Sequence, residues 1–384
     1  MIWKGFPSRR KSDFDNANEW APAWLYRFPH TITVRITKEK IFRIALELVT
    51  ALMCKVSQKC RAKITILLSC KKMYSKMKIV IVGTGGVGGY FGAKLAKAGN
   101  DVTFIARGEH LKAIKDNGLT IKSVLGDFHI DAVNATSRIP DVEDAGLVLL
   151  CVKAWQTKDI LMDLKSIVKQ NTILLPLQNG VSVLEELKEQ IPDENIVGGL
   201  CRTISKIESP GVICHFGVIP TIIFGEIDNR MTERIGIIKD LFDTSGITSV
   251  ISEDIQSDIW KKFISICVSG LLAVTRSTYG EIRELKGTRQ MMIELLTEVY
   301  QLALRMSIKI DNDFLSKTIS FIDTLPYEST TSLSRDVLEG KPSEIDYQNG
   351  AVVRLGEKIG FETPVNRFVY NCIQLMEERA RRLI

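Results

Sequence analysis

Residues 77–89 read Met-Lys-Ile-Val-Ile-Val-Gly-Thr-Gly-Gly-Val-Gly-Gly. The run 78–82 is apolar without alternation, which is typical of a central parallel strand buried on both faces. A glycine-rich turn follows it, and an apolar helical pattern then extends from Val87 to Ala98, where Gly99-Asn100 provides a stop signal. The next apolar strand pattern covers 102–106. The whole unit has the size of a βαβ unit, about thirty residues.

The turn at 83–88 has the spacing Gly-x-Gly-x-x-Gly. In a strand–turn–helix context this spacing predicts a dinucleotide site, whereas alone it is a weak signal. Gly83 permits the tight turn, Gly85 lets the backbone approach a pyrophosphate, and Gly88 lets the helix pack closely on the strand. Free N–H groups at the helix N-terminus attract the phosphates. The predicted cofactor-binding residues of the turn are Gly83, Thr84, Gly85, Gly86, Val87 and Gly88.

The end of the second strand is expected to select the cofactor. An NAD site places Asp or Glu there to hold the ribose 2′-hydroxyl. This chain instead has Ala106-Arg107-Gly108, and a cation at that position suits a 2′-phosphate. Arg107 therefore predicts NADP(H), although Glu109 lies nearby and a solvated surface arginine remains the alternative.

Farther along the chain, strand patterns alternate with helical ones up to about residue 252. The predicted strands are 146–152, 172–176, 195–199, 212–216 and 219–224, and the later predicted helices are 255–275, 291–306, 315–324, 344–359 and 368–382. Alternation of this kind predicts a doubly wound parallel sheet of the Rossmann type. We therefore expect an NADP-binding α/β domain over 77–252, followed by an all-helical substrate and catalytic domain over 253–384.

Residues 1–76 differ from the rest in charge. They hold 16 Lys and Arg against 5 Asp and Glu, whereas the remainder holds 35 against 40. No secretory signal pattern is present there. Translated upstream sequence before a start at Met73 or Met77 is the favoured interpretation, and a surface-binding basic arm is the alternative. In either case the segment is expected to lie outside the fold and to be dispensable.

Composition excludes several classes of protein. The 384 residues are 45% hydrophobic and 25% charged, as in an ordinary globular chain. No apolar run reaches the length of a membrane span, about 18 residues. The mild acidity after residue 76 argues against a body that binds nucleic acid. Eight cysteines without a CxxC pair and four scattered histidines indicate neither a disulfide framework nor a metal site, and they favour a reducing cytoplasm.

Four further segments make the chain similar to a known family. These are Val152-Lys-Ala-Trp-Gln156, Leu177-Gln-Asn-Gly-Val181 and, in the second half, Trp260-Lys-Lys-Phe263 with Ser343-Glu-Ile-Asp-Tyr-Gln-Asn-Gly350. Together with the glycine turn and in this order, they resemble the 2-dehydropantoate 2-reductases, or ketopantoate reductases, over roughly residues 77–384. The resemblance implies reduction of 2-dehydropantoate to (R)-pantoate with NADPH, in pantothenate synthesis, in a cleft between the two domains.

The resemblance also implies roles for individual residues. Lys262 is the catalytic lysine, and Glu344 fixes the substrate and the reacting geometry. Asn179 lies beside the nicotinamide ribose and the substrate, Lys153 assists at the 2′-phosphate, and Ser332 contacts the substrate carboxylate. These residue types suit the reaction, because a lysine can stabilise the charge that develops on a ketone oxygen and can donate the proton.

The chain departs from the family pattern at amide positions. Some members have asparagines four and eight residues after the catalytic lysine, where this chain has Ile266 and Gly270. A third amide position is Ser329, which keeps hydrogen-bonding capacity with a shorter side chain. These differences leave open a related reductase for a more apolar 2-oxo acid, because unmatched polar groups are costly to bury.

Two interpretations from other classes compete with the reductase. A non-catalytic, redox-sensing NADP-binding module would keep the glycine turn without needing Lys262 and Glu344. A membrane- or nucleic-acid-associated protein would have to use the basic arm. The expected partner is therefore a small 2-oxo acid, with neither nucleic acid nor membrane, and a homodimer is compatible with the sequence.

Overall fold

The computed structural model of this chain describes residues 77–382. The predictions for residues 1–76 lie outside this range. Within it, no helix combines the length and the apolar character needed to cross a bilayer.

Twelve strands occur among the described residues. They are β1 (Lys78–Val82), β2 (Val102–Ile105), β3 (Leu119–Ser123), β4 (Phe128–Ile130), β5 (Asn134–Thr136), β6 (Ala145–Leu150), β7 (Ile173–Pro176), β8 (Gly198–Arg202), β9 (Ser205–Ser209), β10 (Val212–His215), β11 (Thr221–Gly225) and β12 (Thr248–Ile251).

The α-helices of the same range number thirteen. They are α1 (Gly86–Lys97), α2 (Gly108–Asn117), α3 (Thr157–Ile167), α4 (Val183–Lys188), α5 (Glu233–Thr244), α6 (Ile255–Ile266), α7 (Val268–Thr275), α8 (Tyr279–Glu284), α9 (Lys286–Arg305), α10 (Phe314–Thr324), α11 (Ser332–Leu338), α12 (Asn349–Ile359) and α13 (Pro364–Arg382).

The central sheet has the order β5-β2-β1-β6-β7, and all its strands are parallel. Side chains of β1 alternate between two cores: Ile79 and Ile81 face one cluster, and Val80 and Val82 face another. A sheet covered on both faces is what an uninterrupted apolar strand requires. The predicted fold class, a Rossmann-type sheet followed by helices, is confirmed.

The later strands do not extend this sheet as the sequence suggested. β10 lies in a four-stranded sheet of order β4-β3-β10-β9, and β11 lies in a three-stranded sheet of order β12-β11-β8. Both strands have one parallel and one antiparallel neighbour. The strand expected at 195–199 begins later, at Gly198, after a short 3-10 helix over Asp193–Asn195.

Two predicted helices are interrupted. The helix expected over 255–275 divides at Cys267, whose carbonyl accepts a hydrogen bond from Asn349 Nδ2 at 3.0 Å. A side chain that bonds within the helical ladder is a known cause of such a break. The helix expected from Glu344 begins instead at Asn349, because Gln348 has φ −109° and ψ −102°, outside the helical region.

The α/β half ends with β12 at Ile251, and the helical half begins with α6 at Ile255. The side chain of Asp254 starts α6 by accepting a hydrogen bond from Ser257 N at 3.1 Å. A separate apolar core fills the helical half. The division into domains near residue 252 stays a prediction.

Candidate functional site

The glycine turn lies at the carboxyl end of β1 and needs glycine for steric reasons. Gly83 has φ +99°, and a Cβ there would lie 2.6 Å from the backbone nitrogen of Val152. A Cβ on Gly88 would lie 2.1 Å from the carbonyl oxygen of Gly83. The roles expected for these two glycines, a tight turn and close helix packing, match this geometry.

A cavity of about 200 Å³ opens directly above the turn. Its lining comprises Val82, Gly83, Thr84, Gly85, Ile105, Ala106, Arg107, His110, Ile139, Val152, Gln156, Ile160 and Ile207. A Cβ on Gly85 would meet no atom within 4 Å, so the backbone there faces open space. The first N–H groups of α1 have no intrahelical partners, and Gly85 supplies no capping side chain. This arrangement fits the pyrophosphate of a dinucleotide.

Arg107 follows β2, is exposed and lies at the edge of this cavity. None of the described residues that line the cavity is acidic. A 2′-phosphate bound at this edge would therefore lie near the cation of Arg107, whereas a ribose 2′-hydroxyl would have no carboxylate to accept its hydrogen bond.

His110 is a cavity residue that the sequence did not single out. Gly211 N donates to its Nδ1 at 3.0 Å, so the ring proton is on Nε2, which donates to the Thr84 carbonyl at 2.8 Å. Burial lowers the pKa of His110, which keeps the ring neutral. His110 therefore fixes the turn to the loop before β10.

In residues 77–382 no group of His, Cys, Asp and Glu is suited to hold a metal ion.

Glu344 connects the two halves of the protein at the carboxyl edge of the central sheet. Its Oε1 accepts a hydrogen bond from the backbone N–H of Ala154 at 3.0 Å, and its Oε2 accepts one from Asn179 Nδ2 at 2.9 Å. The side chain is 4% exposed. Both donors belong to the α/β half, in the loops after β6 and β7. Asn179 and Glu344, predicted as site residues, are thus in direct contact.

Lys262 lies on α6 and is partly buried. Burial lowers its pKa, and the cation of Arg202 adds to this effect, whereas Cys201 and Glu344 raise the pKa. Among residues 77–382, no hydrogen bond or ion pair engages its ammonium group. A partly desolvated, unpaired ammonium next to a held carboxylate is suited to donate a proton near neutral pH.

Lys261 differs from Lys262 in its surroundings. Its Nζ lies 3.4 Å from Asp311 Oδ2, whose side chain is 70% exposed. The side chain of Lys261 is itself 25% exposed, so Lys261 differs from Lys262 in being ion-paired.

Lys153 makes a second link between the two halves. Its Nζ lies 2.6 Å from Asp336 Oδ2 on α11, and it is not among the residues that line the cavity. Its expected role beside Arg107 at a 2′-phosphate stays a prediction. In this structure the ammonium group of Lys153 is paired with the carboxylate of Asp336.

The two predicted substrate-binding serines lie around the start of α11. Ser332 is exposed in its first turn, four residues before Asp336 and so on the same face of the helix. This face meets Lys153 of the α/β half. Ser329 is half-buried in the preceding loop, where its carbonyl accepts a hydrogen bond from Tyr279 N at 3.0 Å.

The two positions that lack the family's asparagines have different surroundings. Ile266 ends α6, one helical turn after Lys262, and is partly buried. Gly270 is covered by Asn349, because a Cβ on Gly270 would lie 2.3 Å from Asn349 Oδ1. Asn349 is fully buried, and its Oδ1 has no hydrogen-bond partner among the described residues. An amide group therefore remains next to position 270, supplied by another helix.

The chain is similar to known proteins over most of its length. The model of the ketopantoate reductase PanE/ApbA family matches residues 79–229, and the model of the family's C-terminal part matches residues 254–377. The 2-dehydropantoate 2-reductase of Nostoc is 32% identical over 313 residues, which cover 80% of this chain and 97% of that protein. The chain belongs to the ketopantoate reductase family, as the sequence resemblance indicated.

Solved structures show the same fold. A ketopantoate reductase of this family from Ralstonia eutropha superposes with a TM-score of 0.74 at 29% identity, covering 79% of this chain and all of that one. A D-mandelate dehydrogenase in complex with NADH and anilino(oxo)acetate has a TM-score of 0.73 at 26% identity, with 79% and 100% coverage. The common architecture thus occurs in oxidoreductases with different names and substrates.

Proposed function

We propose that this protein reduces 2-dehydropantoate to (R)-pantoate with NADPH, as a step of pantothenate synthesis. The observation that carries the proposal is the convergence of Asn179, Glu344 and Lys262 at the carboxyl edge of the sheet whose first strand leads into the glycine turn. A non-catalytic NADP-binding module would need no buried carboxylate fixed by two donors and no desolvated lysine beside it.

Each residue has a separable role in this proposal. NADPH held by the glycine turn and Arg107 would supply a hydride. Lys262 stabilises the negative charge that develops on the ketone oxygen and donates the proton to it. Glu344 raises the pKa of Lys262 and so opposes the effect of burial, which increases the fraction of molecules in which the lysine is protonated. Asn179 holds the Glu344 carboxylate in position through its amide.

A second candidate is a related NADPH-dependent reductase of a more apolar 2-oxo acid. Ile266 places an alkyl side chain one turn from Lys262, where some relatives carry an amide. A pocket that offers no partner to a substrate hydroxyl gains nothing from that hydroxyl. The structural similarity to a D-mandelate dehydrogenase is consistent with this alternative.

The two candidates are separated by a matched pair of substrates. Trimethylpyruvate is 2-dehydropantoate without its hydroxyl group, and NADPH oxidation reports the turnover of both. A site built for the hydroxyl should prefer 2-dehydropantoate by about 10⁴- to 10⁵-fold in kcat/KM. Equal values, or a preference for trimethylpyruvate, would favour the second candidate. Absence of turnover with a broad panel of 2-oxo acids would contradict both.

We also propose a cytoplasmic location. The five cysteines of the described residues are all free thiols, as expected in a reducing compartment.

A further inference from the structure

Arg202 is a cation near the catalytic lysine to which the resemblance assigns no role. It is the last residue of β8, and it is exposed. Within residues 77–382, its side chain forms no hydrogen bond or ion pair. An arginine without a protein partner at the edge of a cleft is available to a ligand.

The topology brings Arg202 to the site. Ile196, just before β8, pairs in parallel with Leu174 of β7, so the two segments run in the same direction. Cys201 reaches the end of β7, where its thiol donates to the Leu177 carbonyl at 3.5 Å. Arg202 therefore emerges at the edge where the loop carrying Asn179 also emerges.

The faces of the neighbouring elements point to the same place. Side chains two apart on a strand share a face, so Arg202 lies on the face of Leu200. Leu200 packs in one core cluster with Ile255 and Ile259 of α6. Lys262 follows Ile259 by three positions, on the same side of that helix. Arg202 and Lys262 thus line one edge of the cleft.

Two other cations near the junction of the halves, Lys153 and Arg335, already have protein partners. Lys153 is paired with Asp336, and Arg335 donates to Thr330 Oγ1 at 3.1 Å. Glu344 accepts its two hydrogen bonds from the α/β half. A 2-oxo acid carries a carboxylate next to the reacting carbonyl, so it needs a second cation beside the proton donor. Guanidinium is the group best matched to a carboxylate, because it can donate two parallel hydrogen bonds.

We propose that Arg202 binds the carboxylate of the substrate and thereby selects 2-oxo acids over neutral ketones. This inference rests on the proposed function, because it concerns the orientation of the same substrate at Lys262. It assigns to an arginine a role that the family resemblance gave to Ser332.

The test compares each 2-oxo acid with its neutral amide, which keeps the ketone and loses the charge. In Arg202→Met, kcat/KM for the acid should fall about 10- to 100-fold, the usual effect of losing a charge-assisted contact. The value for the amide and the Kd of NADPH should not change. Arg202→Lys should recover part of the loss, and Arg230→Met, an exposed arginine after β11, is the control.

A binding measurement keeps this inference separable from the proposed function. Calorimetric titration of (R)-pantoate into the NADPH complex reports carboxylate binding without turnover, because alcohol and cofactor are both already reduced. If 2-oxo acids are reduced and Arg202→Met keeps the preference for the acid, the role of Arg202 is refuted and the function stands. If none is reduced but pantoate binding depends on Arg202, the function fails and the anion site stands. If none is reduced and pantoate does not bind, both are overturned.

The pH profile gives a further readout. Arg202, Glu344 and Cys201 are the charged or titratable groups whose fields act on Lys262, and Arg202 lowers its pKa. Removing that cation should shift the alkaline limb of kcat for reduction to higher pH. An unchanged limb would place Arg202 away from the reacting groups and contradict the proposal.

Discussion

Replacing Lys262 with alanine tests the proposed chemistry most directly. A positioned general acid contributes about 10²- to 10⁴-fold to rate. Since each tenfold corresponds to about 1.36 kcal/mol, the transition state should lose about 3–5 kcal/mol. NADPH binding should remain nearly intact, because Lys262 does not line the cavity above the glycine turn.

The stability of this variant should not fall. The ammonium of Lys262 is partly buried without an ionic partner among residues 77–382, and desolvation of such a charge costs free energy. Lys262→Ala should therefore melt at the same temperature as the unmodified protein or higher, despite its loss of turnover. Such opposition between stability and activity is common at functional sites.

Lys261→Ala is the matched control. Adjacent helical positions point about 100° apart, and Lys261 forms only a surface pair with Asp311 at 3.4 Å. Losing this pair should cost less than about 1 kcal/mol and leave turnover unchanged. The measurements are NADPH oxidation, fluorescence titration of NADPH and thermal melting. An inactive Lys261→Ala with an active Lys262→Ala would mean that the assignment is displaced by one residue, and activity in both would refute the mechanism.

Five further outcomes are expected. Arg107→Ala should remove most of the preference for NADPH over NADH, a loss of about 1–3 kcal/mol in binding measured by titration of both cofactors; equal affinities in the unmodified protein would contradict NADP selection. Reduction needs protonated Lys262, whose pKa lies below its ordinary 10.5, so turnover should fall as pH rises through that pKa. Because Glu344 raises the pKa of Lys262, Glu344→Gln should move this alkaline limb to lower pH, and a shift to higher pH would exclude the arrangement. Gly88→Ala should lower the melting temperature and weaken NADPH binding, because its Cβ would lie 2.1 Å from a backbone oxygen; a stable, fully binding variant would disprove the packing argument. A protein starting at Met77 should keep its turnover and thermal stability, and insoluble product would show that residues 1–76 are needed.

Local signals predicted the first strand–turn–helix–strand unit well. The apolar run 78–82, the glycine turn and the helix stop at Gly99 each depend on neighbours a few residues away, and the structure contains all three. Strand partners were not predictable in this way. β10 pairs with β3, about ninety residues earlier, and apolar patterning alone does not specify a partner.

The site was predicted through resemblance rather than through pattern. Sequence spacing could not distinguish Lys262 from Lys261, because only the tertiary surroundings pair Lys261 with Asp311 and leave the ammonium of Lys262 without an ionic partner among residues 77–382. His110 and Arg202 had no local signal, since their roles depend on Gly211 and on the parallel course of a distant strand.

Position 270 shows the limit of comparing residues one at a time. The sequence suggested a lost amide there, whereas the structure places the side chain of Asn349 over Gly270. An asparagine at 270 could not enter without displacing that side chain. The two positions therefore have to be compared as a pair.

The two hydrogen bonds of Glu344 have a consequence for recombining family members. The carboxylate comes from the helical half, and both of its donors come from the α/β half. Lys153 with Asp336 and Tyr347 with Glu186 span the same junction. A chimaera joined near residue 252 would inherit one member of each pair from each parent. Hybrids of two relatives should therefore be active only when the parents agree at these positions, and a mismatch at Glu344 should abolish turnover even where both halves fold.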